Sequence, residues 1–337
     1  MTNRPILLAA LAGAALLACD VPLQDQYEVR GESRVPKGVA YDAAAQLFYA
    51  TSLVGGEITL ITSLGREYSF YRTDDANLSL GAAAIDEDRR RLWVCAVDKK
   101  SEPSLPRSQI LGFDLDEGEL TYRVELSEAG DGFAPSECEA VAVAGDGVVY
   151  AADAGRPTIY RYDPKADRGS ILVEDAAFGP DAEAGTGGLS GLAVHPSGDY
   201  LAAVRSDPPA VFVIPVDAPE ELMPVMFPWR PMGRVGDPRL PAAGGAGFIG
   251  EDLYVTFPGA IQRLRFADAR LRTALVHTTT SVPSGLSAVT EADGVAYAID
   301  SDAYKVEKLG VRPEPPYSIV RVEPGFFAKD AAKDDVD

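Results

Sequence analysis

The feature that most constrains this chain is a hairpin that returns six times. A small or polar residue opens a short apolar run, a turn follows, and a second apolar run comes back. The copies are KGVAYDAAAQLFYATS (37–52), GAAAIDEDRRRLWVCAVD (81–98) and EAVAVAGDGVVYAAD (139–153), then SGLAVHPSGDYLAAVRSD (190–207), GAGFIGEDLYVTF (245–257) and SGLSAVTEADGVAYAID (284–300). Between them lie further segments of period two: EITLIT (57–62), EYSFYR (67–72), QILGFDL (109–115), LTYRVEL (120–126), TIYRYD (158–163), SILVED (170–175), AIQRLRF (260–266) and TALVHT (273–278). Val, Ile, Tyr and Phe dominate these runs, Asp, Gly, Pro and Ser punctuate them, and no helical period competes.

Six hairpins, each followed by outer strands, predict an all-β chain. The architecture is a six-bladed β-propeller of four-stranded antiparallel blades spanning residues 36–325. The last blade takes AYKVEK (303–308) as its third strand. Its outer strand comes either from PYSIVRV (316–322) or from YEVRGESRV (27–35). In the second case the N-terminal segment closes the ring and removes an exposed sheet edge.

The chain starts with one Arg and an apolar run, ILLAALAGAALLA (6–18), which falls short of the roughly 20 residues of a membrane span. It leads into LLAC (16–19), which resembles the lipobox of bacterial lipoproteins. The resemblance implies a lipoprotein signal peptide over 1–18 and a lipidated Cys19. Residues 19–35 then form a tether or the ring-closing strand, and the protein sits in the cell envelope, anchored to a membrane and facing the periplasm or the exterior. An ordinary signal peptide is the alternative. Export would permit a disulfide between the other two cysteines, Cys95 and Cys138; two buried thiols are the competing reading.

The net charge is −20, and residues 326–337 form an acidic tail. This balance argues against a nucleic-acid partner and against direct contact with anionic headgroups.

GLAVHPSGDYLAAV and PKGVAYDAAAQLFYATSLVGGEITLI resemble the senescence-marker/gluconolactonase family of six-bladed propellers, whose pattern NHL-repeat and paraoxonase-like propellers share. The resemblance spans about residues 36–310 and carries architecture rather than function. It implies a divalent cation, usually Ca²⁺, at the mouth of the central channel. Its ligands would be Glu from the first blade and Asn, Asn and Asp from later ones, and acidic members would assist lactone or ester hydrolysis. At the openings of the repeats this sequence offers Lys37, Gly81, Glu139, Ser190, Gly245 and Ser284. The family Glu falls on Lys37, the PNGL Asn on Ser190 and Ser284, and the later Asp on Gly244–Gly245. Only Glu139 is an ordinary ligand for a hard cation, and the register could slip to Glu137.

Four second strands close on Asp98, Asp153, Asp207 and Asp300. With Glu137 and Glu139 they could form an acidic mouth facing Lys37, or serve as turn formers that bond their own backbone. Glu139, Asp153 and Asp300 are the metal candidates, and Glu139, Asp153 and Asp207 the catalytic ones. The two histidines do not suit a general base: His195 lies in a hairpin turn away from the mouth and His277 in an outer strand. Loops on the mouth face are long, including MFPWRPMGRVGDPRLPAAGG (226–245) with Trp229, Arg230, Arg234 and Arg239. Trp and Arg are enriched where partners bind, and long loops on a rigid frame commonly carry function.

Two functions follow. One is a non-catalytic, membrane-anchored binding or scaffold propeller whose mouth face receives a protein, peptide, glycan or small molecule, with no cofactor. The other is a divergent Ca²⁺-dependent lactonase or esterase, with Ca²⁺ as Lewis acid.

Overall fold

A computed structural model describes residues 21–30, 35–75, 77–99, 107–126, 136–179, 187–227, 243–301, 303, 305–306, 310–312 and 314–322; the side chains of 278–284 are outside that description. Strand β1 (Gln26–Val29) is followed by a sheet of β2 (Pro36–Asp42), β3 (Leu47–Ser52), β4 (Glu57–Thr62) and β5 (Glu67–Arg72). A second sheet holds β6 (Leu78–Asp86), β7 (Arg91–Asp98), β8 (Arg107–Asp114) and β9 (Leu120–Glu125). The third holds β10 (Cys138–Val143), β11 (Val149–Asp153), β12 (Thr158–Asp163) and β13 (Arg168–Glu174). The fourth holds β14 (Leu189–Val194), β15 (Tyr200–Arg205), β16 (Ala210–Pro215) and β17 (Met223–Pro224). The remaining strands, β18 (Ala246–Ile249), β19 (Asp252–Phe266), β20 (Ala274–Ala292), β21 (Val295–Asp300) and β22 (Tyr317–Arg321), join β1 in one sheet of six, in the order β1-β22-β21-β20-β19-β18.

These are antiparallel meanders, and their first strands stand side by side around an axis. β2 lies against β6, β6 against β10, β10 against β14, β14 against β18, β18 against β20, and β20 back against β2. The molecule is therefore an all-β propeller with a closed ring of inner strands. Between neighbouring sheets run wedges of buried side chains, such as Tyr49, Phe70, Leu92 and Phe113, or Tyr150, Phe178, Leu201 and Phe212.

The ends of the chain meet as one of the two readings of the sequence foresaw. β1 pairs antiparallel with β22, Tyr27 opposite Ile319, and so forms the outermost strand beside β22 and β21. The expectation for AYKVEK does not hold. Residues 303, 305 and 306 are helical, and PYSIVRV takes the third place instead, with β22 pairing β21. The alternation of AYKVEK is too short and polar to compete with a Val/Ile-rich run that can be buried on both faces.

Some of the glycines that open the inner strands mark places of close approach. A Cβ on Gly38 would lie 2.4 Å from the Gly81 carbonyl oxygen, and one on Gly245 would lie 2.8 Å from that of Ser287. The inner strands converge toward the axis, and only a residue without a side chain lets neighbouring backbones come so near.

Candidate functional site

In five of the repeats the opening residues share one local geometry, a β-bulge. Cys138 pairs with Asp153 and Ala140 with Ala152, which leaves Glu139 without an opposite number. Leu189 pairs with Arg205 and Gly191 with Val204, leaving Ser190. Leu286 pairs with Asp300 and Ala288 with Ile299, leaving Ser287. In β2 the shift falls between Pro36 and Val39, at Lys37–Gly38, and in β6 between Leu80 and Ala83, at Gly81–Ala82. A bulge re-aims the side chain it carries, and here the re-aimed residues line one cavity on the ring axis.

That cavity has a volume of about 120 Å³ and is walled mainly by Ala, Gly, Val and Leu, with Lys37, Glu139, Ser190, Ser206 and Ser287 as its polar members. Lys37 Nζ donates to Glu139 Oε2 at 2.7 Å, and both side chains are largely buried, 11% and 21% exposed. Lys37 belongs to the first sheet and Glu139 to the third, so the pair spans the intervening second sheet, which contributes only Ala82 and Ala83 to the lining. The Ser190 hydroxyl donates to the Val204 carbonyl at 3.4 Å, and the Ser287 hydroxyl to the Lys37 carbonyl at 2.9 Å.

The motif SGLSAV offers two serines, of which the alignment of repeats points to Ser284; the pairing of β20 with β21 puts Ser287 in the position that Ser190 holds in β14. The signal that could have found it is the triplet of apolar residue, polar residue and small residue, seen in Cys138-Glu139-Ala140, Leu189-Ser190-Gly191 and Leu286-Ser287-Ala288.

The expected ring of acids does not line this cavity: Glu137, Asp98, Asp153, Asp207 and Asp300 are absent from its walls. Asp153 is fully buried and its carboxylate organises a turn. It accepts from the Ser136 hydroxyl at 2.6 Å and from the backbone N–H groups of Glu137, Gly155 and Arg156 at 2.8, 2.9 and 3.1 Å. Burial raises its pKa, while these four hydrogen bonds pull the other way. Glu137 is half-buried beside it, with its carbonyl accepting from Ala154 N at 2.8 Å. Asp98 and Asp300 close β7 and β21, half-buried, opposite Arg107 and Ser318, and Asp207 follows β15. His195 is at the opposite end of β14 from Ser190, with Nε2 3.1 Å from Glu251 Oε2. His277 is exposed in β20.

A divalent cation does not fit the residues present. Among the described residues no three His, Cys, Asp or Glu side chains converge as metal ligands. The one carboxylate that the described residues bring to the cavity wall is in contact with an ammonium, where Ca²⁺ requires several oxygens converging on a point.

Cys95 of β7 and Cys138 of β10 are joined in a disulfide, with Cα atoms 5.4 Å apart and both residues buried. It ties the second sheet to the third directly behind the bulge that carries Glu139. Cys19, the signal segment 1–18, the side chain of Ser284, the tail 326–337 and the loop residues Trp229, Arg230, Arg234 and Arg239 lie outside the described residues. No helix among the described residues is long and apolar enough to cross a membrane.

No protein-family model matches the sequence, and no curated protein matches it. Solved structures do match in fold. The major allergen Mala s 1 of Malassezia sympodialis is similar over 90% of this chain and 97% of its own, with a TM-score of 0.70 at 20% identity. A calcium-binding protein, regucalcin, from Agrobacterium tumefaciens is similar over 91% and 97% (TM-score 0.60, 13% identity). A gluconolactonase from Xanthomonas campestris is similar over 87% of each chain (TM-score 0.57, 14% identity). At these identities the likeness concerns the fold alone.

Proposed function

We propose that this protein is a six-bladed propeller that binds rather than converts its ligand, exported and held at a membrane by a lipidated Cys19. The six-stranded sheet counts as two blades, with β19 folding back near Gly259, whose φ is +79°, and β20 passing from one blade to the next. The observation that carries the binding reading is the axial cavity, where the two charged wall residues pair with each other and the rest of the described wall is small and mainly apolar, with three serines. Such a concave, preformed, mostly apolar site with a few polar groups suits a ligand. Among the described residues its wall holds one carboxylate, Glu139, which is paired with Lys37, and no histidine. The ligand is one that inserts an uncharged group between Lys37, Ser190 and Ser287, with the long mouth loops, including Trp229, Arg230, Arg234 and Arg239, contacting the rest of it. The buried disulfide supports an oxidising compartment.

The test is a thermal-shift screen of the purified protein against neutral sugars, short peptides and small hydroxy and keto compounds, run beside Ala288→Phe, which fills the cavity. A compound that stabilises the wild type and not the variant supports the reading. Lactone or ester turnover by the wild type that is lost in Glu139→Gln would overturn it in favour of a hydrolase, the reading for which the shared fold of the gluconolactonase speaks.

A further inference from the structure

The Lys37–Glu139 pair has a position and a burial that ask for a reason. A surface ion pair contributes little, but this one lines the axial cavity, on two bulges of inner strands. Lys37 is 9% exposed as a residue, and an ammonium so placed is costly unless a partner compensates it. The chain meets that cost with Glu139, two sheets away, at 2.7 Å. The sheet between them leaves the space open: its bulge is Gly81–Ala82, and of its residues only Ala82 and Ala83, with their methyl side chains, line the cavity.

We infer that the Lys37 ammonium is a built-in counter-ion, occupying the mouth in place of a bound divalent cation and bracing the first sheet against the third across the channel. The resemblance drawn from the sequence places an anionic metal ligand at residue 37, and the structure shows a cation there that is part of the chain. A mobile ion can be removed by a chelator; a tethered ammonium cannot. The ring should therefore hold its axial geometry at any calcium concentration. Lys37 also accepts from the Ser287 hydroxyl through its carbonyl, so one residue links the first sheet to the third by its side chain and to β20 by its backbone. This inference does not depend on what the cavity binds.

Calorimetric titration of the purified protein with CaCl₂, paired with melts in chelator and in excess calcium, reads the first half. The expected result is no stoichiometric heat and superimposable melts. Melts of Lys37→Met, Glu139→Gln and the double variant read the second half. Each single change should lower the melting temperature by several degrees, because it leaves a buried charge or acceptor unmatched. The double variant should lose clearly less than the sum of the two. Stoichiometric calcium binding abolished by Glu139→Gln, or strictly additive losses across the cycle, would overturn the inference. The double variant keeps the cycle readable even if one single variant is too unstable to purify, since a folded double beside an unfolded single is itself the coupling.

Discussion

The hydroxyl of Ser287 donates to the backbone carbonyl of Lys37 at 2.9 Å, joining residues 250 apart in sequence. Both are bulge residues, so the contact closes the ring at the wall of the axial cavity. At the rim the closure is completed by β1. Tyr27, 1% exposed, sits with its ring centroid 5.1 Å from that of Phe48 and 6.4 Å from that of Tyr297.

These two closures should differ in weight. Ser287→Ala removes one hydrogen bond, worth about 1 kcal/mol. Tyr27→Ala removes a large buried ring from the seam between the first and last sheets and should cost about 3–5 kcal/mol. Urea unfolding of the two variants checks the order. Equal midpoints would mean that β1 adds little to closure.

The inner-strand glycines give a second prediction. Gly38→Ala puts a Cβ 2.4 Å from the Gly81 carbonyl oxygen and 3.0 Å from Ala82 Cα, both backbone atoms that cannot turn aside. The neighbouring inner strand has to move, at a cost of about 1–3 kcal/mol. Gly169→Ala, in β13, meets nothing within 4 Å and should change stability by less than about 0.5 kcal/mol. Denaturant midpoints of the two variants, measured side by side, decide whether close approach or glycine content as such is what the repeats preserve.

The propeller was legible because a period of two, interrupted by turns at regular intervals, is a local property of the chain. The positions of the outer strands from EITLIT to TIYRYD follow directly from it. The bulges were not legible, since two residues facing one is a property of a strand and its neighbour together. The place of Ser287 on the cavity wall is of this kind. The Lys37–Glu139 pair lies between these cases. Opposite charges at the same place in two repeats were visible, but their contact across 102 residues depends on how far the ring contracts. Asp153 shows the reverse. A carboxylate at a strand end reads equally well as a ligand or a turn former, and its four donors decide for the turn.

The Cys95–Cys138 disulfide closes a loop with a sequence separation of 43 residues between two sheets. Restricting the unfolded chain over such a length stabilises the fold by about 2–4 kcal/mol. Melting with and without a reductant able to reach buried bonds should show a lower transition in the reduced protein, and Cys95→Ala/Cys138→Ala should reproduce it. A reduced protein melting with the oxidised one would remove the bond from the stabilising contacts.

The last prediction concerns acid. Asp252 in β19 is gripped by Arg265, whose Nη2 and Nε donate to its two oxygens at 2.9 and 3.1 Å, and by Arg263 on the same strand. Burial by itself would favour the neutral acid, but the hydrogen bonds and charges of the two guanidiniums outweigh it and hold the carboxyl below its ordinary value. With the folded-state pKa depressed, the stabilisation is complete above the unfolded value of about 3.9. It is lost as the pH falls through the lower folded-state value. Asp252→Asn should therefore be less stable than the wild type at neutral pH, with the gap narrowing as the solution is acidified below that range. Arg265 is half exposed and the pair is partly screened, so the gap should also shrink with added salt. Urea midpoints of both proteins across the acid range check this, and two curves that stay parallel to the acid limit would show that the arginines do not govern the ionisation of Asp252.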